Sequence, residues 1–237
     1  MKTQQTIAIV GGGRMGRALT AALGAAGVRV TGPHGRGFAG AGADAVLLCV
    51  PDGQIAAAAG AVAPGPLVGH CSGATGLDVL APHEAFALHP LMTITQRGGD
   101  FRGAGAAVAG SSDRALALAT ELARALGMRP FEIADEDRAA YHAGAAMASN
   151  FLVALESAAE RVAGIDRELL APLVRAAVET WAAEGDAALT GPIARGDEET
   201  VARHRAAIAE RAPELLALYE VLAAATREIA SRPQVPA

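Results

Sequence analysis

A short apolar run, Ile7 to Val10, leads directly into Gly11-Gly12-Gly13-Arg14-Met15-Gly16, and then into an alanine- and leucine-rich stretch to about Ala26. Strand, glycine turn and helix in that order leave few folds open. The spacing Gly11-x-Gly13-x-x-Gly16 gives each glycine a separate role, in making a tight turn, in letting backbone approach a pyrophosphate closely, and in packing helix close on strand. Free N–H groups at the start of the helix then face an anion. A bare G-x-G-x-x-G is weak evidence, but a strand before it and a helix after it make it a dinucleotide-binding signature. Gly11, Gly13, Arg14, Met15 and Gly16 are therefore the candidate phosphate loop. The competing reading is an ordinary turn in a chain that carries 28 glycines.

The end of the second strand decides which nucleotide is expected. An NAD site places an Asp or Glu there, about 20 residues on, to bond the ribose hydroxyls. Here that place reads Thr31-Gly32-Pro33-His34-Gly35-Arg36, and the first 43 residues contain no acid at all. Lys2, Arg14, Arg17, Arg29 and Arg36 all precede Asp44, the first carboxylate. A 2′-phosphate wants a cation and neutral donors instead. Thr31, His34 and Arg36 are the candidate clamp, and NADP(H) is the expected cofactor. The plainer reading of the arginines is solvated surface charge.

A continuous apolar run of the kind buried parallel strands show stands at Ala45–Val50, and further strands are expected at Val28–Thr31, Pro66–His70, Ala85–Leu88, Ala106–Ala109 and Arg129–Ile133. Helices are expected from the glycine loop to Ala26, from about Gly53, and from Ser112 to Leu126. Only a dozen or so residues separate the second strand from the third, too few for a crossover helix and a further strand. Beyond Asp135 the texture is helical. Asp135–Ala163 holds no proline and meets Gly164, which reads as a single long helix with a glycine C-cap. Further helices are expected at Pro172–Ala183, Glu198–Arg211 and Pro213–Ala230, two of them opened by a proline at or near the first position. The closing SRPQVPA is expected to fray. The expected architecture is an α/β Rossmann-like parallel sheet over residues 1–134, followed by an all-α domain over 135–237.

Composition excludes some classes. A net charge of -5 with no basic stripe argues against nucleic acid. No apolar run approaches the roughly 20 residues of a membrane span. The start shows no signal-peptide pattern, and Cys49 and Cys71 lack metal-ligand spacing, so no metal is expected and a reducing cytoplasm is the simplest setting.

Ligands in parallel α/β sheets gather at the carboxyl ends of strands. Two loops end there: Cys49-Val50-Pro51-Asp52 and His70-Cys71-Ser72-Gly73-Ala74-Thr75-Gly76. Val50, Pro51, Cys71 and Ser72 join the candidate cofactor residues, although a small buried thiol is the plainer reading of Cys71. On the long helix His142 and Asn150 lie eight apart, about 80° round from each other, with Ser149 on the same broad face. A polar patch on an alanine-rich helix asks for partners. It closes over a nicotinamide, with Asn150 orienting a substrate and His142 moving the proton that accompanies hydride transfer, or it is a solvated or internally bonded surface. His89 is a second candidate acid. In the loop Leu189–Asp197, Thr190 and Arg195 are candidate substrate contacts, Arg195 for a carboxylate. Asp197 reads as an N-cap with an acidic first turn behind it.

Taken together, VGGGRMGRALTAAL, LLCVPD, HCSGATGLDVLAP, FALHPLMTIT, YHAGAAMASNFLVAL and ALTGPIARGDEETVARH resemble a family of small bacterial proteins over nearly the whole chain. Its members have a Rossmann-like NADP-binding domain and a helical domain of unknown function. The family is similar to pyrroline-5-carboxylate reductases, ketopantoate reductases and the wider 6-phosphogluconate dehydrogenase-like superfamily. The resemblance implies an NADP-dependent oxidoreductase, often dimeric through its helical domain, acting on a small molecule. In ketopantoate reductases and 3-hydroxyacid dehydrogenases a lysine on the helix after the nucleotide domain gives the proton. Here Lys2 is the only lysine, and Ala146 stands four residues before Asn150. The lysine mechanism is therefore excluded. The expectation is a reductase or dehydrogenase for a small carbonyl, hydroxyl or imine compound with a carboxylate; the alternative is a catalytically silent NADP(H)-binding sensor.

Overall fold

The computed structural model describes residues 5–232; residues 233–237 of the terminal stretch expected to fray lie outside them. Seven strands form one sheet: β1 (Thr6–Val10), β2 (Arg29–His34), β3 (Ala45–Leu48), β4 (Leu67–His70), β5 (Ala85–Leu91), β6 (Gly105–Gly110) and β7 (Arg129–Glu132). Their order is β2-β1-β3-β4-β5-β6-β7. This is the Rossmann-like order with its outermost strand omitted. All seven expected strands are present.

The inner strands β1 and β3 to β6 are covered on both faces, while the edge strands β2 and β7 are largely exposed. Ile7 and Ile9 point into one core with Leu19 and Leu23 of α1 (Arg14–Ala25) and with Leu118 and Leu122 of α3 (Asp113–Ala125). Ala8 and Val10 point into the other, with Ile55 and Ala59 of the short helix α2 (Ile55–Ala59). This alternation is the two-residue period of a pleated strand. No helix joins β2 to β3, as the sequence spacing requires. Phe38 and Ala43 from that connection pack on the second core instead.

The sheet departs from the expected all-parallel form at one pair. β6 runs antiparallel to β5, while the other neighbours are parallel. Residues 92–104 join these two strands without a helix, and a parallel return needs a crossover element.

Two compact units divide the chain, residues 1–149 and 150–237. The first includes α4 (Arg138–Ala146). The second is built from α5 (Leu152–Ala163), α6 (Arg167–Glu184), α7 (Glu198–Arg211) and α8 (Leu216–Ser231). Val201, Ile208, Ala212 and Ala223 form its buried centre. Arg205 grips Glu220 with two nitrogens, and Arg227 pairs with Glu198, so α7 is bound to α8.

The single helix expected over 135–163 is interrupted. Asp135–Asp137 form a 3-10 turn and Met147–Phe151 a π turn. Within the π turn the Ser149 hydroxyl donates to the Ala145 carbonyl at 2.7 Å. Gly164 does cap α5 in the left-handed conformation, φ 67 and ψ 31. Pro172 does not open its helix. α6 begins five residues earlier, behind Asp166, and the proline sits inside it on an exposed stretch. Pro213 does stand at the first turn of its segment.

Candidate functional site

The glycine loop is packed as tightly as its spacing suggests. A side chain on Gly16 would run into the Gly11 carbonyl oxygen, and one on Gly11 into the carbonyl of Cys49. Gly11 also has φ +108, which only glycine adopts without strain. Arg17 donates from its guanidinium to the Gly12 carbonyl and so braces the loop, a role that nothing in the sequence pattern marks. Arg14 is exposed at the helix start, and Met15 packs against the first core.

Above the loop lies a cleft of about 520 Å³. Gly11, Gly13, His34, Arg36, Val50 and Pro51 line it, together with Phe38 and Cys49. The His34 ring stacks on Phe38 with centroids 3.8 Å apart, and its Nε2 lies 3.0 Å from the Thr31 hydroxyl. No Asp or Glu lines this cleft among the described residues. Asp44, the first carboxylate, is engaged elsewhere, accepting from the Thr6 N–H at 2.7 Å.

Cys71 and Ser72 follow β4. The Ser72 hydroxyl donates to Asp52 at 2.8 Å and accepts from the backbone N–H groups of Ala74 and Thr75. Ser72 is buried, so it ties the loop after β3 to the loop after β4. His70 serves the same loop. Its Nδ1 accepts from the Ser72 N–H and its Nε2 donates to the Gly76 carbonyl. Burial lowers its pKa, which keeps the ring neutral in that arrangement.

A second cluster forms around Gly73. The His89 Nδ1 lies 2.7 Å from the Tyr141 hydroxyl, and the His142 ring stands 6.2 Å from that of His89. A Cβ on Gly73 would come within 2.9 Å of both His142 and His89. Burial first, then the nearby His142 and Arg138, lower the His89 pKa to about 4. The ring is thus neutral at neutral pH. The assignment that satisfies the pair has Tyr141 O–H donating to Nδ1 and the ring proton on Nε2, beside Gly73. Burial raises the Tyr141 pKa, so the phenol keeps its proton.

Arg138 is the largest fully buried side chain, 1 % exposed. Its Nε donates to Asp135 at 2.7 Å, while Nη1 and Nη2 have no hydrogen-bond partner among the described residues. The Asp135 carboxylate also accepts from the Leu77 N–H, so this ion pair holds α4 to the loop after β4. The Arg138 charge adds to the lowering that burial causes at His70 and His89, and opposes in part the rise that burial causes at Tyr141.

His89 and His142 are therefore brought together within the first unit. Ser149 belongs to that unit as well, its hydroxyl bonded to Ala145. Asn150, Thr190 and Arg195 belong to the second unit, where the Arg195 N–H donates to the Gly191 carbonyl. Asp197 is an N-cap: its carboxylate accepts from the Thr200 N–H at 3.0 Å and from the Thr200 hydroxyl. Tyr141, Arg138 and Asp52 were missed by sequence reasoning. Tyr141 carried a signal, since it directly precedes His142 and is one of only two tyrosines in the chain. No group of three or more metal-ligating side chains is found among the described residues, and no helix there is long and apolar enough to cross a membrane.

Solved structures share this fold. A presumptive NADP oxidoreductase from Bacteroides fragilis is 22% identical with a TM-score of 0.78, over 94% of this chain and 98% of its own. A Thermotoga maritima protein is also 22% identical, with a TM-score of 0.76 over the same shares. A pyrroline carboxylate reductase from Plasmodium falciparum, with NADP bound, is 13% identical with a TM-score of 0.58, over 98% of this chain and 100% of its own. No curated protein matches the sequence. A family model described as a domain of unknown function, DUF2520, matches residues 105–226. That span covers more than half of the chain, from β6 to α8, and the chain belongs to the DUF2520 family.

Proposed function

We propose that this protein is an NADP(H)-dependent oxidoreductase that transfers a hydride to or from a small carbonyl, hydroxyl or imine substrate bearing a carboxylate. The observation that carries the reading is the acid-free cleft over the glycine loop, with His34 and Arg36 at the end of β2. A carboxylate there would repel a 2′-phosphate, whereas a guanidinium binds it with paired, charge-assisted hydrogen bonds. Thr31, exposed beside His34, adds a neutral donor. The fold is shared with a reductase whose structure holds NADP.

In this reading a dinucleotide held over the glycine loop would supply or accept the hydride. His89 presents its Nε2–H to the oxygen or nitrogen on which charge develops, acting as a neutral electrophile rather than as an imidazolium acid. Tyr141 fixes the tautomer that makes this possible. The proton that accompanies the hydride comes from or goes to solvent by way of His142, exposed beside His89. Asn150, Ser149, Thr190 and Arg195 stay as candidate substrate contacts, Arg195 for the carboxylate. The missing lysine thus has a replacement that needs no cationic acid.

Purified protein assayed with NADPH against a panel of 2-keto acids and cyclic imines tests this. Turnover of one compound class supports the reading. NADPH binding with no turnover across the panel supports the silent sensor instead.

We propose further that two copies associate through the helical unit. α6 buries no residue, and Leu169, Leu173 and Trp181 on it are more than 60 % exposed. Exposed apolar side chains in such number mark an association surface. Light scattering should give about twice the 23.8 kDa chain mass, and a value near that of one chain contradicts it. Two free thiols suit a reducing cytoplasm.

A further inference from the structure

The chain has two cysteines, and the fold brings them together. Cys49 follows β3 and Cys71 follows β4, each one residue beyond the last paired positions, Leu48 and His70. The Cys71 N–H still donates to the Leu48 carbonyl, so the parallel ladder runs on to this point. Neighbouring strands lie about 4.8 Å apart, within the separation of α-carbons that a disulfide spans. The two sulfurs are 3.7 Å apart. Closing to a bond of about 2.04 Å asks for less than about 1 Å of movement from each.

The two thiols differ in setting. Both are half-buried, but Cys49 lines the nucleotide cleft whereas Cys71 stands next to it outside that lining. The hydrogen bond between the two thiols, followed by burial, raises the Cys71 pKa well above the usual range, so Cys71 keeps its proton. Cys49 also forms the ground on which the glycine loop rests. Its carbonyl blocks any side chain at Gly11, and its Cβ would lie 3.3 Å from one at Gly16.

We propose that Cys49 and Cys71 are a redox pair beneath the dinucleotide loop, oxidised by a hydroperoxide to an intramolecular disulfide that weakens dinucleotide binding. The Cys49 sulfur attacks one peroxide oxygen. The O–O bond breaks, and the departing hydroxide takes the thiol proton to become water. Cys49 is left as a sulfenic acid. The Cys71 sulfur then attacks the Cys49 sulfur and expels hydroxide, which leaves as water with the Cys71 proton. Two thiols lose two electrons, and one hydrogen peroxide is reduced to two waters. The new bond draws Cys49 toward β4, and the loop above it has no slack to absorb the shift. Because Cys49 lines the cleft, a bound dinucleotide covers it and slows the oxidation, and by reciprocity it disfavours the disulfide at equilibrium. This last link rests on the cofactor reading above; the formation of the disulfide does not.

Full-length protein treated with hydrogen peroxide, alone and with saturating NADP+, tests both parts by intact mass and peptide mapping. NADP+ is used because it carries no hydride to consume peroxide. The expected product has lost two hydrogens, joins the Cys49 and Cys71 peptides, and reverts with dithiothreitol. In Cys71→Ser a sulfenic acid trappable by dimedone accumulates at Cys49. NADP+ slows disulfide formation by at least about fivefold, and the oxidised protein binds NADP+ at least about fivefold more weakly by calorimetry. Sulfenic or sulfinic acid at Cys49 with Cys71 left free overturns the pair, as does a protein unchanged by peroxide. A disulfide that forms equally fast with and without NADP+, in protein shown by calorimetry to bind it, overturns the shielding, and an oxidised protein that binds NADP+ as tightly as the reduced one overturns the coupling. Calorimetry that detects no NADP+ binding to the reduced protein counts against the cofactor reading and leaves the disulfide standing.

Discussion

The His89 imidazole and the Tyr141 hydroxyl meet at 2.7 Å across 52 residues of sequence, joining the end of β5 to the middle of α4. The contact lies next to Gly73, whose missing side chain leaves room for His89 and His142 side by side. Its consequences can be measured at the ring, at the neighbouring charge and at the glycine.

His89 should titrate near pH 4 in the folded protein instead of near 6.5, because burial disfavours the imidazolium. Between those values the unfolded chain binds more protons than the folded one. Stability from this group is therefore full above pH 6.5 and is lost as the pH falls toward 4. The loss amounts to about 3 kcal/mol. Imidazole proton shifts followed by NMR, with denaturant melts at matching pH, check both. A His89 midpoint at or above 6.5 contradicts the neutral-ring mechanism.

Arg138→Met removes a positive charge that lowers the His89 pKa. The His89 midpoint should rise in this variant, and activity should fall at mildly acidic pH, where wild type keeps its neutral ring. Because Asp135 loses its partner, a modest stability cost of about 1–3 kcal/mol accompanies the change. An unshifted His89 midpoint in folded Arg138→Met contradicts the assignment.

Gly73→Ala and Gly16→Ala should fail in different ways. At Gly73 the new methyl meets two imidazoles that can turn aside, so the fold and NADPH binding persist while turnover drops roughly tenfold or more. At Gly16 it meets the Gly11 carbonyl, which cannot move without opening the phosphate loop. Dinucleotide binding should be lost there, with destabilisation of about 1–3 kcal/mol. Calorimetry and initial rates on both variants separate the two effects.

The inner part of the sheet could be read from residues alone because its strands are covered on both faces, unlike the exposed edges β2 and β7. Ala45–Leu48 and Leu67–His70 are apolar without interruption for that reason. Ser112 and Asp197 were equally readable as helix starts, since a cap acts within its own turn. What the sequence hid was set by distant neighbours. Arg138 looks like a solvated helix residue until α4 and the loop after β4 close around it. Pro172 looks like a helix start until Asp166 begins the helix before it. The π turn at Met147–Phe151 interrupts the helix with no proline or glycine of its own to mark it. For the candidate site the glycine loop, His34 and Arg36 were legible by local spacing, whereas Tyr141 and Arg138 enter through tertiary contact with His89.

Arg36→Glu places a carboxylate at the end of β2, where the first acid of the chain otherwise waits until Asp44. NADPH affinity should fall by roughly tenfold or more, a change of about 1.4 kcal/mol or greater, while NADH affinity holds or improves. Equal losses for both cofactors would mean that Arg36 supports the cleft without reading the 2′-phosphate.

The acid-free cleft is where NADP(H) and NAD(H) should part, and a fluorescence titration of the wild-type protein with NADPH and NADH at one ionic strength tests this most directly. NADPH binding tighter than NADH by at least about tenfold is the predicted result. Equal affinities, a preference for NADH, or no binding of either would contradict it.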